Sequence, residues 1–508
     1  MNIESRGVQS SDSTVSSKDG AFNGEEKRTR ADKFFLGCLQ RVPVNEVARE
    51  LQMLGKIACP VLMTTLLIYS KSIISMLFLG RMGKVELAGG SLAIGFANIT
   101  GFSVMKGLAV GMDPICCQAY GAKRLSVVSQ TYLKTFLLLL FVSVPISLLW
   151  LNVEPVFLRL GQDRIITKVA MGYLLVSIPE LLAHAHLSPL RSFLRTQSLN
   201  SPGTIVATCA TILHLPINYL LVTYLNLGVK GVALASVCYT FNMNIGLLVY
   251  LVLSKVALKP WVGATFISTF QGWRPLLSLA LPSVCSVCLE WWWYEILLFL
   301  SGLLINPQSC LAATGILIQT TGLIYVFPYS LSLSISQRVG HELGAGQPAQ
   351  AQWAAMIGLT VGVAYGMAAF ALTIAVRSVW GKLYTNDPQI LSLVSLALPI
   401  LGLAELGNSP QTAACGVLTG SARPKVGVRV NIAAFYLIGL PVAVLMTFTF
   451  KLGYRGLWLG LVASQYSCAA MMVYTLIQTD WRHQAQRAEE LTVLTAADKD
   501  DVETNQVS

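Results

Sequence analysis

The sequence predicts an all-α membrane protein whose twelve transmembrane helices form two six-helix lobes related by a pseudo-two-fold axis. Three observations predict this fold class. The 508 residues are 54% hydrophobic and only 12% charged, a charged share about half that of ordinary soluble domains. Twelve apolar runs are each long enough to cross a bilayer as a helix. The two halves of the chain also repeat one another's glycines and prolines.

The apolar runs are continuous, which favours helices over the alternating strands of a membrane β-barrel. Their approximate positions are 52–80, 88–113, 131–152, 167–188, 203–225, 231–254, 276–304, 310–335, 352–376, 389–412, 428–450 and 455–478.

The repeat is visible in small residues at matching positions. Pro60 matches Pro282 at an offset of 222 positions, and Gly121 matches Gly344 at 223. The stretch LGxxG at 227–231 recurs at 452–456, an offset of 225. The offset preserves the parity of membrane crossings, so the halves run through the bilayer in the same direction. Parallel repeats of this kind are a transporter architecture, with the substrate site between the halves.

Five segments follow. They are a disordered cytoplasmic N-tail (1–45), an N-lobe (46–254), a cytoplasmic inter-lobe loop (255–274), a C-lobe (275–479) and a cytoplasmic C-tail (480–508), in which 481–494 form a short amphipathic helix at the surface.

Basic residues are more frequent in the even-numbered connections, which places both termini in the cytoplasm. The basic residues of those connections include Lys123, Arg124, Arg191, Arg195, Lys255, Lys259, Arg274, Arg338, Arg423, Lys425 and Arg429. The net charge of +11 is therefore explained by basic residues that orient the protein in the membrane and contact anionic lipid. Nucleic acid is not an expected partner.

Two glutamates lie inside the seventh span, where an ionised side chain costs about 2.5 to 3.5 kcal/mol or more. Glu290 and Glu295 are five residues apart, so they point about 140° from one another around the helix and cannot form one carboxylate pair. Low polarity favours the neutral acid, which lets Glu290 hold either a proton or, when ionised, a cationic solute. Tyr294, one turn after Glu290, can donate a hydrogen bond to it.

Further polar residues inside spans complete the predicted sites. Glu405 and Asn408 share a face of the tenth span, and Gln319 and Tyr325 lie in the eighth. The residues predicted to bind protons are Glu290, Glu295 and Glu405. The residues predicted to bind substrate are Glu290, Tyr294, Asn408, Gln319 and Tyr325.

Lys71 and Glu180 are predicted to form a structural ion pair in the first half, because each charge alone at that depth is expensive. The eleven cysteines are interpreted as small apolar filler, with no metal site.

Three motifs carry a resemblance to a known family. They are GMDPICCQAYGA at 111–122, CLEWW at 288–292 and RVGHELGAG at 338–346. The chain resembles the multidrug and toxic compound extrusion (MATE) family, in its plant DETOXIFICATION branch, over about residues 45–485. Glu290 matches the family's essential glutamate in the seventh helix. The family's acid in the tenth helix falls on Asn408, with Glu405 one turn earlier, and Gln319 replaces an acid of animal relatives.

The resemblance implies a MATE-type fold and a secondary active efflux transporter, not an enzyme. It exchanges protons for an organic solute, such as a xenobiotic, organic cation, secondary metabolite or plant hormone. The proton gradient supplies the energy, and no cofactor is expected. The protein is expected to be a monomer in the plasma membrane or an endomembrane (Golgi, late endosome or vacuole). Two alternatives stay open at this point: a major-facilitator-type carrier, and a membrane sensor or scaffold that acts through its tails.

Overall fold

The computed structural model describes residues 44–261 and 271–497. Within these residues, twelve helices are long and apolar enough to cross a membrane, which confirms the predicted helical fold. They are α1 (Val44–Met82), α2 (Val85–Gly121), α3 (Leu125–Leu151), α4 (Arg164–Thr196), α5 (Ser201–Tyr224), α6 (Gly228–Leu253), α7 (Arg274–Ser301), α8 (Pro307–Gly344), α9 (Pro348–Val376), α10 (Pro388–Gly420), α11 (Pro424–Thr449) and α12 (Tyr454–Ile477). A further helix, α13, covers Trp481–Ala497.

Several helices are longer than the apolar runs that predicted them. The predicted ends of the fourth, eighth and tenth spans, at 188, 335 and 412, were wrong: these helices continue to Thr196, Gly344 and Gly420. Hydropathy detects the part of a helix that lies in the bilayer, whereas local chemistry sets its ends. The Asp163 and Asp387 side chains accept hydrogen bonds from the first backbone N–H groups of α4 and α10, and such caps stabilise a helix start.

Some predicted segments fall outside the described residues. Apart from residues 44 and 45, where α1 begins, the predicted N-tail lies outside them. So do residues 262–270 of the predicted inter-lobe loop and 498–508 of the predicted C-tail. The boundaries of the two lobes stay a prediction.

Each cluster of the hydrophobic core belongs mainly to one half of the chain, and the first helix of each half also contributes residues to a cluster of the other half. One core cluster consists of second-half residues, except that Leu54 of α1 joins it. Two other clusters consist of first-half residues, except that Leu276, Leu279 and Ala280 of α7 join them. The first helix of each half therefore packs partly into the other half, a feature the repeat offset alone does not predict.

Two matching glycines of the repeat lie where the backbones of the two halves approach closely. A Cβ atom at Gly121 would lie 2.1 Å from the backbone oxygen of His341, and one at Gly344 would lie 2.0 Å from that of Gln118. Both glycines are at helix ends on the side of the bundle where α1 begins and α13 lies, here called the terminal side. The two halves are thus in backbone contact on the terminal side.

Polar contacts tie the halves together on the same side. The Arg338 guanidinium donates to both Glu50 carboxylate oxygens at 2.9 and 3.0 Å, and it also pairs with Glu342 at 2.7 Å. Gln118 Nε2 donates to the Gly420 oxygen at 2.9 Å. Arg338 was predicted in a connection, but it lies within α8, as Arg191 and Arg195 lie within α4. These contacts hold the terminal side closed.

Substituting Gly344 with alanine is expected to weaken this closure. The added methyl group has no space against the Gln118 backbone, and overpacking of this kind costs about 1 to 3 kcal/mol. We therefore expect G344A to shift the protein towards a form that is open on the terminal side. Mass spectrometry can measure this as faster maleimide labelling of Cys117, which is buried and packs against Gly340.

Gly315→Ala is the matched control, because a Cβ at this position of α8 meets nothing within 4 Å. If G344A and G315A labelled Cys117 at the same rate, the glycine contact would not hold the terminal side closed.

The predicted surface helix of the C-tail is present as α13, and it packs on the protein. Its Trp481 and Ala488 join the second-half cluster, and its Leu491 packs against a first-half cluster. Arg124 donates to the Thr492 hydroxyl at 3.3 Å. Partial burial, together with nearby Arg487 of α13, lowers the pKa of Arg423 to about 10. The helix thus contacts both halves on the terminal side.

Candidate functional site

Glu290 lies in the middle of α7, a helix that packs against α2. The crossing of these two helices is close, since a Cβ at Gly107 would lie 2.6 Å from the Val284 Cα atom. The half-buried Glu290 side chain has no hydrogen bond or ion pair within the described residues. A carboxyl group in this position is available to a proton or to a cation.

Glu405 lies on α10 and is 1% exposed. Thr321 Oγ1 donates to its Oε1 atom at 2.6 Å, and Asn408 Nδ2 donates to its Oε2 atom at 2.9 Å. Both oxygens therefore have fixed partners, and neither partner is a cation. Thr321 comes from α8, so this group connects two helices of the second half.

Tyr294 lies near the two acids. It lies one turn after Glu290 on α7, and it is close enough to both Glu290 and Glu405 to interact electrostatically with each. The structure does not bring Glu295 into this group: its side chain is exposed and points away from Glu290. The proton role predicted for Glu295 stays a prediction without a contact to support it.

The remaining predicted substrate residues lie along α8. Tyr69 of α1 donates from its hydroxyl to Gln319 Oε1 at 2.6 Å, which joins the two halves. Tyr325 stacks on Tyr329, with 5.8 Å between ring centroids, and it also interacts electrostatically with Glu290. Gln319 therefore has a partner in the first half, whereas Tyr325 and Tyr329 form a stacked aromatic pair on α8.

Lys71 and Glu180 lie together in the first half. Lys71 Nζ is 2.5 Å from Glu180 Oε1, and Thr240 also donates to that oxygen at 3.1 Å. The Lys71 ammonium lies 5.3 Å from the centroid of the Tyr239 ring. The geometry is that of the predicted ion pair, and its structural role is tested by the double substitution described in the Discussion.

Two charged groups of the structure were not predicted from the sequence. Lys106 of α2 lies over the rings of Trp291 and Tyr329. Like Lys71, it is a lysine inside a predicted span, and it could have been predicted from the sequence in the same way. Arg195 pairs with Asp113 at 2.6 Å, whereas the arginine was interpreted as a topology signal in a loop.

No group of three or more His, Cys, Asp or Glu side chains in the described ranges is placed to hold a metal ion. Imidazole groups in these ranges form hydrogen bonds within the protein. His186, for example, bonds Tyr132 at 2.8 Å and Asn244 at 2.7 Å.

Comparison with known proteins identifies the family. The MatE family model matches residues 60–220 and 282–445, one match in each half of the chain. The chain belongs to the MATE family. Arabidopsis thaliana Protein DETOXIFICATION 53 is 62% identical over 454 residues, which cover 89% of this chain and 93% of that protein. Protein DETOXIFICATION 48 of the same plant is 52% identical over 447 residues, covering 88% and 84%.

Solved MATE structures share the fold. The crystal structure of the eukaryotic MATE transporter AtDTX14 is 32% identical, with a TM-score of 0.84 over 88% of this chain and 99% of that chain. The Vibrio cholerae MATE transporter VcmN in the bent form is 16% identical and has a TM-score of 0.73 over 89% and 99%. The MATE protein described here is therefore a multi-pass membrane protein and a secondary efflux transporter of the plant DETOXIFICATION branch.

Proposed function

We propose that this MATE protein exchanges protons for an organic solute by alternating access, with Glu290 and Glu405 as the proton-binding groups. The observation that supports the proposal is their arrangement. Both acids lie in the second half, Tyr294 interacts with both, and neither forms an ion pair within the described residues. A carboxyl group that is shielded from water and forms no ion pair binds a proton more readily than one that is exposed or paired. We assign coupling to these two acids rather than to the exposed Glu295.

The proposed cycle uses competition at Glu290. An ionised Glu290 binds a basic nitrogen of the solute, and a proton that enters from the acidic side neutralises the carboxylate and releases the solute. The gradient supplies about 2.3 kcal/mol per charge per 100 mV and about 1.4 kcal/mol per pH unit. The proposal places both termini in the cytoplasm, so the terminal side, where the two halves are in contact, is the cytoplasmic side of the transporter.

The experiment is transport in proteoliposomes with an imposed pH gradient, with candidate cations and weak acids offered side by side. The proposal expects at least one solute to accumulate against its gradient and to stop when an ionophore dissipates the pH gradient. If solute accumulation were unchanged by the ionophore, proton exchange would be contradicted.

Glu405 gives a second test. We expect E405Q to reduce exchange driven by the pH gradient to the level of empty vesicles, because an amide cannot take up the proton. T321A removes one hydrogen bond to the carboxylate, worth about 1 kcal/mol, and should slow exchange about fivefold.

The control for both variants is T360A, since Thr360 is exposed and its hydroxyl donates to the Met356 backbone oxygen of its own helix. If E405Q exchanged solute at the same rate as T360A, Glu405 would not be a proton-coupling residue.

A further inference from the structure

The most unusual charged group between the halves is Lys106. Its Nζ atom lies 4.1 Å from the centroid of the Tyr329 ring and 4.9 Å from that of Trp291. Within the described residues, no carboxylate lies within ion-pair distance of it. Aromatic faces attract an ammonium group, but they carry no negative charge that would neutralise it.

Two arginines of α4 lie near the same tyrosine. Arg191 and Arg195 both interact electrostatically with Tyr329. Arg195 is paired with Asp113 at 2.6 Å. The half-buried Arg191 has no ion pair or hydrogen bond in the described part of the chain. Lys106 and Arg191 therefore leave an excess of positive charge around Tyr329, in surroundings where an unpaired charge is unfavourable.

A negative group lies beside this positive region. Glu290 directly precedes Trp291 in α7, so its carboxylate lies near Lys106 but forms no ion pair with it within the described residues. Tyr329, whose ring faces the Lys106 ammonium, stacks on Tyr325. This region thus holds a carboxylate and an ammonium group, neither of them in an ion pair within the described residues, together with aromatic rings.

We propose that the transported solute carries an anionic group, bound by Lys106, in addition to the basic nitrogen bound by Glu290, so that it is an aromatic zwitterion. This inference rests on the proposed function for the role of Glu290. A solute with a positive charge alone would place that charge next to Lys106. A solute with a negative charge alone would meet the ionised Glu290.

The two contacts have different roles in the cycle. A proton on Glu290 displaces the nitrogen of the solute, so competition with protons is preserved. The anionic group does not take part in that competition, and it selects the solute. Lys106 is thus a specificity-determining residue rather than a coupling residue.

The test is solute counterflow in proteoliposomes, in which labelled solute outside exchanges with unlabelled solute inside without a pH gradient. Three probes share one ring and differ in charge: phenylalanine, 2-phenylethylamine and 3-phenylpropionate. We expect the wild-type protein to exchange phenylalanine with at least about tenfold higher apparent affinity than either singly charged probe, since a hydrogen bond to a charged group contributes about that factor.

K106Q should lower the apparent affinity for phenylalanine at least about tenfold and leave that for 2-phenylethylamine unchanged or higher. K106R should recover part of the loss. The control is K230Q, because Lys230 is exposed at the start of α6. The proposal is overturned if phenylalanine does not exchange, if the amine exchanges equally well, or if K106Q weakens both probes equally. Intact counterflow without transport driven by a pH gradient would instead contradict only the proposed function.

Discussion

Glutamine at position 290 is expected to abolish transport driven by a pH gradient. The amide has nearly the shape of the carboxyl group, so the packing of α7 against α2 is kept. It cannot carry a negative charge or take up a proton, and both steps of the proposed exchange are lost. We expect E290Q proteoliposomes to accumulate no more solute than empty vesicles at any imposed pH difference.

E295Q is the matched comparison, because it makes the same chemical change five residues further along the same helix. Its exposed side chain lies outside the group formed by Glu290, Tyr294 and Glu405, so we expect it to keep most of the transport rate. Equal loss in both variants would indicate damage to α7 rather than loss of a proton site. Full transport by E290Q would exclude Glu290 from coupling.

Breaking the pair between Lys71 and Glu180 is expected to have the largest effect on stability. Removing one partner leaves the other charge buried and unpaired, which costs about 3 to 5 kcal/mol. Glu180 is 4% exposed, so water cannot readily replace the lost partner. We expect K71M and E180Q to lower the yield of folded protein and its melting temperature in detergent.

The double variant K71M/E180Q separates an ion pair from two independent effects. Replacing both charges removes the unpaired charge, and the Thr240 hydroxyl can still donate to the amide oxygen that replaces the carboxylate. We expect the double variant to recover a substantial part of the yield, because apolar replacement of a whole pair is often neutral. K168M, at an exposed lysine of α4, is the control. If the losses of folded yield in K71M and E180Q added up in the double variant, the two residues would not act as one ion pair.

The membrane spans were predictable because continuous apolar runs leave few alternatives. Helix ends were less predictable, as α8 shows: its last turns, which include Arg338 and Gly344, are polar and contact the other half rather than lipid. Hydropathy carries no information about such contacts. The repeat revealed two halves, but it gave no sign that α1 and α7 each pack partly into the opposite half.

The site was predictable where a charge stood alone in an apolar run. Glu290, Glu405 and Lys71 were found in this way. Lys106 had the same signal, but its partners are aromatic rings, and sequence spacing does not show which ring faces a cation. Arg195 was assigned to a loop because basic residues near span ends normally report topology. Its buried pairing with Asp113 depends on the tertiary packing of α2 against α4.

The central claim is that a proton and the solute exclude one another at Glu290, and solute affinity as a function of pH tests it most directly. Calorimetry on the purified protein would measure the binding of a transported solute from about pH 8 to about pH 5. Competition by one proton predicts that affinity falls towards acidic pH with a limiting slope of about tenfold per pH unit, and that E290Q shows no such fall. A wild-type affinity that is the same at all these pH values would contradict the claim.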